Sequence, residues 1–286
     1  MTPASTATAS GTFSLGGDLE INRLGFGTMQ LTGPGIWGEP RDRDEAIRVL
    51  RRAVELGVNF FDTADSYGPV VAERLTREAL HPYDGVVVAT KAGLTRQGPD
   101  RWTPVGRPAY LRQQVEMSLR NLGLERIDLL QLHRIDPEVP LADQVGELAA
   151  LQSEGKIRHI GLSEVTVEQL REAQEVATIV SVQNLFNLSN RAAEPLLEHA
   201  AANGIGFIPW FPLATGALAD PGGPLAKLAA EREATPSQLA LAWLLARSPA
   251  MLPIPGTSSV EHLEENVAAA GVELTDDEIE ALTEAV

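Results

Sequence analysis

The sequence predicts one α/β domain, a closed (β/α)8 TIM barrel, and three observations carry that expectation. Eight short runs rich in Val, Ile, Leu and Phe recur along the 286 residues, and segments with helical spacing of apolar residues separate them. None of these runs is followed by the glycine-rich fingerprint of a doubly wound open sheet, the competing architecture. With 44% hydrophobic residues the chain can bury a large core, and barrels of this length occur as single domains.

Residues 1–12, MTPASTATASGT, are small and polar and are expected to form a disordered tail, leaving 13–286 as the barrel domain. In 13–21 an interruption by Gly16, Gly17 and Asp18 predicts a β-hairpin that closes the barrel floor. Strands are then expected at 23–27, 58–62, 86–91, 127–133, 157–163, 179–183, 206–210 and 251–254. Between the first two, Ala46, Ile47, Leu50, Ala53 and Val54 mark a helix over 44–56, stopped by Gly57, which accepts the left-handed conformation. The pattern repeats over 141–153, before Gly155. Pro108 suits the first turn of a helix to Leu122, and Thr235 with Pro236 opens another that runs through Trp243 to Arg247.

A formal charge of -16 and a pI near 4.7 weigh against nucleic acid and anionic membranes, so a small-molecule partner is expected. The absence of cysteine excludes disulfides, thiolate metal sites and a cysteine nucleophile. No run is long enough to span a bilayer and no apolar leader is seen, which suits a cytoplasmic protein. The five histidines show no metal-ligand spacing, so no metal is expected, and a monomer is the expected state.

Three predicted strands end on reactive groups. NFFDTADSYG places Asp62 just upstream of Tyr67, DGVVVATK ends on Lys91, and IDLLQLH ends on His133. Singly each has a plainer use: Asp62 as a helix cap, Tyr67 as a packing aromatic, His133 as a core histidine. Parallel strands, however, present their C-terminal ends at one rim, so the four groups are expected to converge. A phenol, with a pKa of about 10, exchanges protons poorly near neutrality unless a cation lowers it. Lys91 supplies that cation, and an ammonium in a barrel mouth needs a carboxylate such as Asp62. His133 is placed to orient a carbonyl oxygen.

The ordered set GxNFFDTAxxYG, strand-end lysine, LxxLGxxxIDLLQLH, GLS and IPG resembles the aldo-keto reductases, from LGFGTMQ at Leu24 to NVAAA at Asn266. The resemblance implies reduction of aldehydes or ketones, or oxidation of the alcohol, by hydride transfer with NADPH. Tyr67 would donate the proton, Lys91 would depress its pKa, Asp62 would hold Lys91 and His133 would fix the carbonyl. Ser163 and Gln183 match groups that bind the nicotinamide carboxamide. Glu164 stands where the family has asparagine, and when ionised it accepts hydrogen bonds but donates none. Trp210 falls where an aromatic ring stacks on the nicotinamide, and Phe211, Pro212, Leu213 and Gly216 continue a segment that wraps the pyrophosphate. Ile254, Gly256, Thr257, Ser258, Ser259, His262, Glu265 and Asn266 match the adenosine-phosphate site, and Gly27 and Thr28 complete the cofactor set.

Many NADPH-specific relatives carry a lysine and an arginine where this chain has Gly256 and His262. NADPH is the expected cofactor and NADH the alternative. The substrate pocket is expected from Met29, Trp37, Tyr67, Trp102 and His133. The long glycine- and proline-rich first loop is similar to that of a bacterial subgroup that includes pyridoxal reductases, so pyridoxal or another aromatic aldehyde is the expected substrate. Two other readings stand beside this one. The first is a cofactor-binding regulatory protein of the same fold with negligible turnover, as in potassium-channel β subunits; the intact catalytic set counts against it. The second is a barrel dehydratase or isomerase, which would want a phosphate-gripping loop without the nicotinamide motifs.

Overall fold

Seven parallel strands stand side by side in the computed structural model, which describes residues 6–213 and 225–285. In spatial order they are β3 (Phe26–Gly27), β4 (Phe60–Asp62), β5 (Val87–Ala92), β8 (Ile127–Leu132), β9 (Ile157–Ser163), β10 (Ile179–Leu185) and β11 (Gly206–Trp210). The returning helices are α1 (Arg43–Glu55), α2 (Val71–Leu80), α3 (Pro108–Leu122), α4 (Leu141–Ser153), α5 (Val167–Gln174) and α6 (Glu194–Ala202). After β11 come α7 (Ala226–Glu231), α8 (Pro236–Arg247), α9 (Val260–Ala268) and α10 (Asp276–Glu284). The strands are almost wholly buried, because helices cover their outer face and the barrel interior their inner one.

The segment 251–254 joins the two ends of this row. Leu252 N donates to Phe207 O at 2.8 Å, and Gly25 N donates to Pro253 O at 2.9 Å, so the ring closes as a (β/α)8 barrel. It is not a regular strand as expected, but a single parallel bridge between Phe207 and Met251. Pro253 and Pro255 have no N–H to give, so a continuous ladder cannot form.

The N-terminal hairpin forms as β1 (Thr12–Leu15) and β2 (Leu19–Asn22). Its Leu15, Leu19 and Ile21 pack with Phe60, Val87, Leu129 and Ile208, which plugs the barrel floor. Asp18 at its turn pairs with Arg158 at 2.9 Å and lies 2.6 Å from His159 Nε2. The tail expected to be disordered over 1–12 is ordered where it is described: Ala7–Ser10 form a 3-10 helix, Ala7 N donates to Leu56 O at 2.8 Å, and Ser10 Oγ accepts from Leu24 N at 3.0 Å. Its small residues fit against the barrel, and composition alone cannot register that fit.

Five helices, α1, α5, α8, α9 and α10, start on side-chain caps. Asp42 accepts from Glu45 N to open α1, and Thr235 forms a capping box with Gln238 to open α8. A second hairpin, β6 (Leu94–Gly98) with β7 (Arg101–Pro104), follows β5 directly. Its sequence, TRQGPDRWTP, lacks apolar alternation, which is why it was not foreseen. Among the described residues, no helix is long and apolar enough to cross a membrane.

Candidate active site

Strand direction and register bring the polar strand ends together. In the ladders Asp62 lies opposite Ala89, Lys91 opposite Gln131, and Gln183 opposite Ser163. Lys91 has no exposed surface and spends its three donors on Asp62 Oδ1 at 2.5 Å, Thr63 O at 2.9 Å and the Tyr67 hydroxyl at 3.2 Å. The His133 ring stands edge-on to Tyr67 with centroids 5.8 Å apart, and its Nδ1 is 3.2 Å from Ser66 Oγ. All four expected catalytic side chains therefore meet at one rim.

Burial and neighbouring charges together shift three of them. The Tyr67 phenol is raised above its ordinary range by burial, with Lys91 pulling the other way. Lys91 lowers this phenol as expected, but desolvation outweighs the cation and keeps the hydroxyl protonated. For Lys91, burial opposes the charge, but Asp62 prevails and holds the ammonium above its ordinary range. Burial, then Lys91, Arg134 and Arg96, keep His133 well below the usual imidazole range, so it is neutral.

Gln131 was not foreseen. Its Nε2 donates to Asp62 Oδ2 at 2.9 Å, and Gln183 Nε2 donates to the same oxygen at 2.9 Å and to Gln131 Oε1 at 3.2 Å. The signal was present as a glutamine inside the apolar run LLQL, where an unpartnered amide would be costly. Gln183, expected at a carboxamide, commits its amide nitrogen to Asp62 and leaves its amide oxygen for a ligand.

Above these groups opens a cavity of about 1080 Å³. Of the expected residues, Met29, Asp62, Tyr67, Trp102, His133, Ser163 and Gln183 line it. So do Gly27, the run Trp210 to Leu213, Ile254, Gly256, Thr257, Ser258, His262, Glu265 and Asn266. Gln30, Ile36, Leu94, Asp100, Pro104, Arg134, Ser237 and Pro255 line it too, without having been singled out. Lys91 sits behind Tyr67, off the wall. Thr28 is fully buried, and its hydroxyl finds no partner among the described residues. Ser259 caps α9 and is not on the wall. Gly216 lies outside the described residues.

Trp37 does not line the cavity, contrary to expectation. It is 38% exposed, with its ring centroid 5.7 Å from the Arg96 guanidinium. The same guanidinium lies 3.6 Å from the Trp102 ring centroid and donates to Ile36 O at 2.5 Å, Gly35 O at 2.7 Å and Ser66 O at 3.0 Å. One cation thus ties the first loop, the β6–β7 hairpin and the loop that carries Tyr67. Trp102 is left facing His133, centroids 6.4 Å apart, while Trp37 packs on the outside.

Glu164 does not reach the cavity either. Its Oε1 accepts from Leu185 N at 2.8 Å and from the Trp210 indole N–H. Beside it Arg134, 5.8 Å from the Trp210 ring, donates to His133 O at 2.7 Å and Ser163 Oγ at 3.0 Å.

The far end of the cavity suits a dinucleotide. A Cβ on Gly256 would lie 2.5 Å from Gly27 O, so only glycine lets the 254–256 segment approach the first strand and form the cradle. Ser258 offers a hydroxyl and His262 an imidazole, but no lysine or arginine among the described lining residues stands at that end. Glu265 Oε1 already accepts from Thr235 Oγ1 at 2.6 Å. Among the described residues no cluster of metal-ligating groups occurs.

A closed parallel barrel with this constellation at the C-terminal rim defines a class of oxidoreductase. Residues 23–286 match the model of the aldo/keto reductase family, and the chain belongs to that family. It is 45% identical over 281 residues to pyridoxine 4-dehydrogenase of Escherichia coli, covering 96% of this chain and 98% of that one. It is 56% identical over 278 residues to an uncharacterized oxidoreductase of Schizosaccharomyces pombe, covering 97% and 90%. Among solved structures, a glycerol dehydrogenase from Gluconobacter oxydans superposes with a TM-score of 0.88 at 29% identity, covering 97% of this chain and 95% of that one. An aldo-keto reductase from Klebsiella pneumoniae in complex with NADPH gives a TM-score of 0.82 at 27% identity, covering 95% and 93%.

Proposed function

We propose that the chain reduces aromatic aldehydes, pyridoxal foremost, to alcohols with NADPH, and runs the reverse oxidation with the same groups. The observation that carries this reading is the Asp62–Lys91–Tyr67 chain of contacts opening beside His133 into a cavity large enough for a dinucleotide and a small substrate.

Bound nicotinamide would supply the hydride, and Ser163, the Gln183 amide oxygen, the 210–213 wall and the glycine cradle would hold the cofactor. The rest follows from this chain's own side chains. Hydride arrival at carbonyl carbon places negative charge on oxygen. Neutral Tyr67 gives that oxygen its proton, and neutral His133 holds it by hydrogen bonding. Lys91, 3.2 Å from the phenol oxygen, stabilises the phenolate that remains. Asp62 keeps the ammonium aimed there. Trp102, backed by Arg96, gives a flat apolar wall against which an aromatic ring packs. All four groups come from one chain, so a monomer suffices.

The test is NADPH consumption with pyridoxal, benzaldehyde and sugar aldehydes, using wild type and Tyr67→Phe. The variant should bind NADPH as wild type does and lose roughly two to four orders of magnitude in kcat, the scale of a missing general acid. Turnover retained in Tyr67→Phe would refute the assignment of the proton donor. A preference for sugars over aromatic aldehydes would refute the substrate class.

A further inference from the structure

Glu164 takes an unusual backbone conformation. It follows the last residue of β9 with φ +55°, a left-handed position that costs a residue with a Cβ but not glycine. Its side chain then reaches across two neighbouring strands. Leu185 ends β10 and Trp210 ends β11, and the two are register partners. A single oxygen, Glu164 Oε1, accepts from the Leu185 backbone N–H and from the Trp210 indole N–H. An indole can only donate and an ionised carboxylate can only accept, so the pair is chemically matched.

Other contacts hold the same ring. Phe211 meets it edge-on with centroids 4.6 Å apart, and the Arg134 guanidinium lies 5.8 Å from its centroid. Arg134 also feels the Glu164 carboxylate, so the acceptor of the indole N–H has a cation near it. Trp210 lines the cavity and Glu164 does not. A residue absent from the wall can act on a ligand only through one that is present.

We propose that Glu164 is a positioning residue whose carboxylate locks the Trp210 indole in place before cofactor arrives, so that the nicotinamide meets a preformed platform. The inference rests on the reading that NADPH binds over Trp210. The usual asparagine is one methylene shorter. The longer glutamate side chain reaches the Trp210 indole and so orients the ring. The gain is preorganisation, since a ring already held loses less freedom on binding.

The experiment uses the full chain with Glu164→Gly, Glu164→Gln, Trp210→Phe and the double variant Glu164→Gly with Trp210→Phe. Glycine suits the left-handed position, so backbone strain does not enter, and glutamine keeps an acceptor oxygen at the same reach. NADPH affinity, measured by calorimetry, should fall about tenfold in Glu164→Gly, the scale of one hydrogen bond to a charged group. It should stay within about threefold in Glu164→Gln, whose neutral oxygen still accepts. With Phe at position 210 there is no indole N–H, and adding Glu164→Gly should change affinity less than about twofold.

A second readout needs no cofactor. In protein labelled with 5-fluorotryptophan, the fluorine resonance that disappears in Trp210→Phe should shift and broaden in Glu164→Gly and persist in Glu164→Gln. An unmoved resonance, or an equal affinity loss with and without the indole, would overturn the proposal. Wild type that binds no NADPH would refute the proposed function, while the fluorine spectra still decide whether Glu164 holds the ring.

Discussion

Gln131 on β8 and Asp62 on β4 meet across the barrel interior, with the amide nitrogen 2.9 Å from Asp62 Oδ2 although β5 separates their strands. Gln183 reaches the same oxygen from β10, so Asp62 receives Lys91 on one oxygen and two amides on the other. The carboxylate that aims the lysine is itself aimed by two glutamines.

Replacing Gln131 with leucine, similar in size but unable to donate, should free Asp62 to turn and misalign Lys91 beneath Tyr67. The expected result is a fall in kcat of about tenfold, the scale of one charge-assisted hydrogen bond, with NADPH affinity changed by less than about threefold because Gln183 keeps its own bond to Asp62. Steady-state kinetics with one aldehyde and calorimetric titration of NADPH separate the two quantities. An unaltered kcat would show that Gln183 and Lys91 suffice.

His133 makes a pH prediction. In the unfolded chain an imidazole takes up its proton near pH 6.5. In the folded chain burial, with Lys91, Arg134 and Arg96 facing the ring, depresses that affinity well below the usual range. Between the two values the unfolded state binds more protons. The contribution of His133 is therefore complete above about pH 6.5 and is lost as pH falls toward the folded value. The melting temperature of wild type minus that of His133→Gln should shrink on acidification from about pH 7.5 to about pH 5. A difference that stays constant with pH would mean that the ring protonates equally in both states.

The contacts of Glu45 carry a prediction about cofactor choice. Its Oε1 accepts from Val260 N, the first amide of α9, at 3.2 Å, and its Oε2 pairs with Arg48 at 2.6 Å. A 2'-phosphate bound at Ser258 and this helix start would meet a carboxylate already on the amide. Glu45→Gln should therefore tighten NADPH several-fold and leave NADH unchanged, with the gain shrinking as salt screens the charges. Dissociation constants for both cofactors at low and high salt test this. An equal shift for the two would exclude a contact specific to the phosphate.

Much of the barrel was legible because its signals are local. Runs such as VVVATK and IDLLQLH are mainly apolar, as strands covered on both faces are, and Gly57, Pro108 and Thr235 mark helix ends by their backbone chemistry. Where the reading departed, the cause lay in packing. Pro253 and Pro255 turned the last strand into a bridge, residues 7–10 docked where composition suggested a free tail, and the β6–β7 hairpin pairs by its backbone and is tied to the first loop by Arg96, without alternating apolar side chains.

The sequence by itself determined which chemical groups stand at the strand ends, because parallel strands share one direction and whatever closes them shares one rim. Tertiary structure alone decided the partners beyond the Asp62–Lys91–Tyr67 chain. Gln131 and Asp62 are 69 residues apart and Glu164 and Trp210 are 46 apart, and Arg96 reaches back 30 residues to the loop of Tyr67. Such pairings, and the exclusion of Trp37 from the cavity, are set by barrel closure and by distances of a few ångströms between remote segments, which no local periodicity encodes.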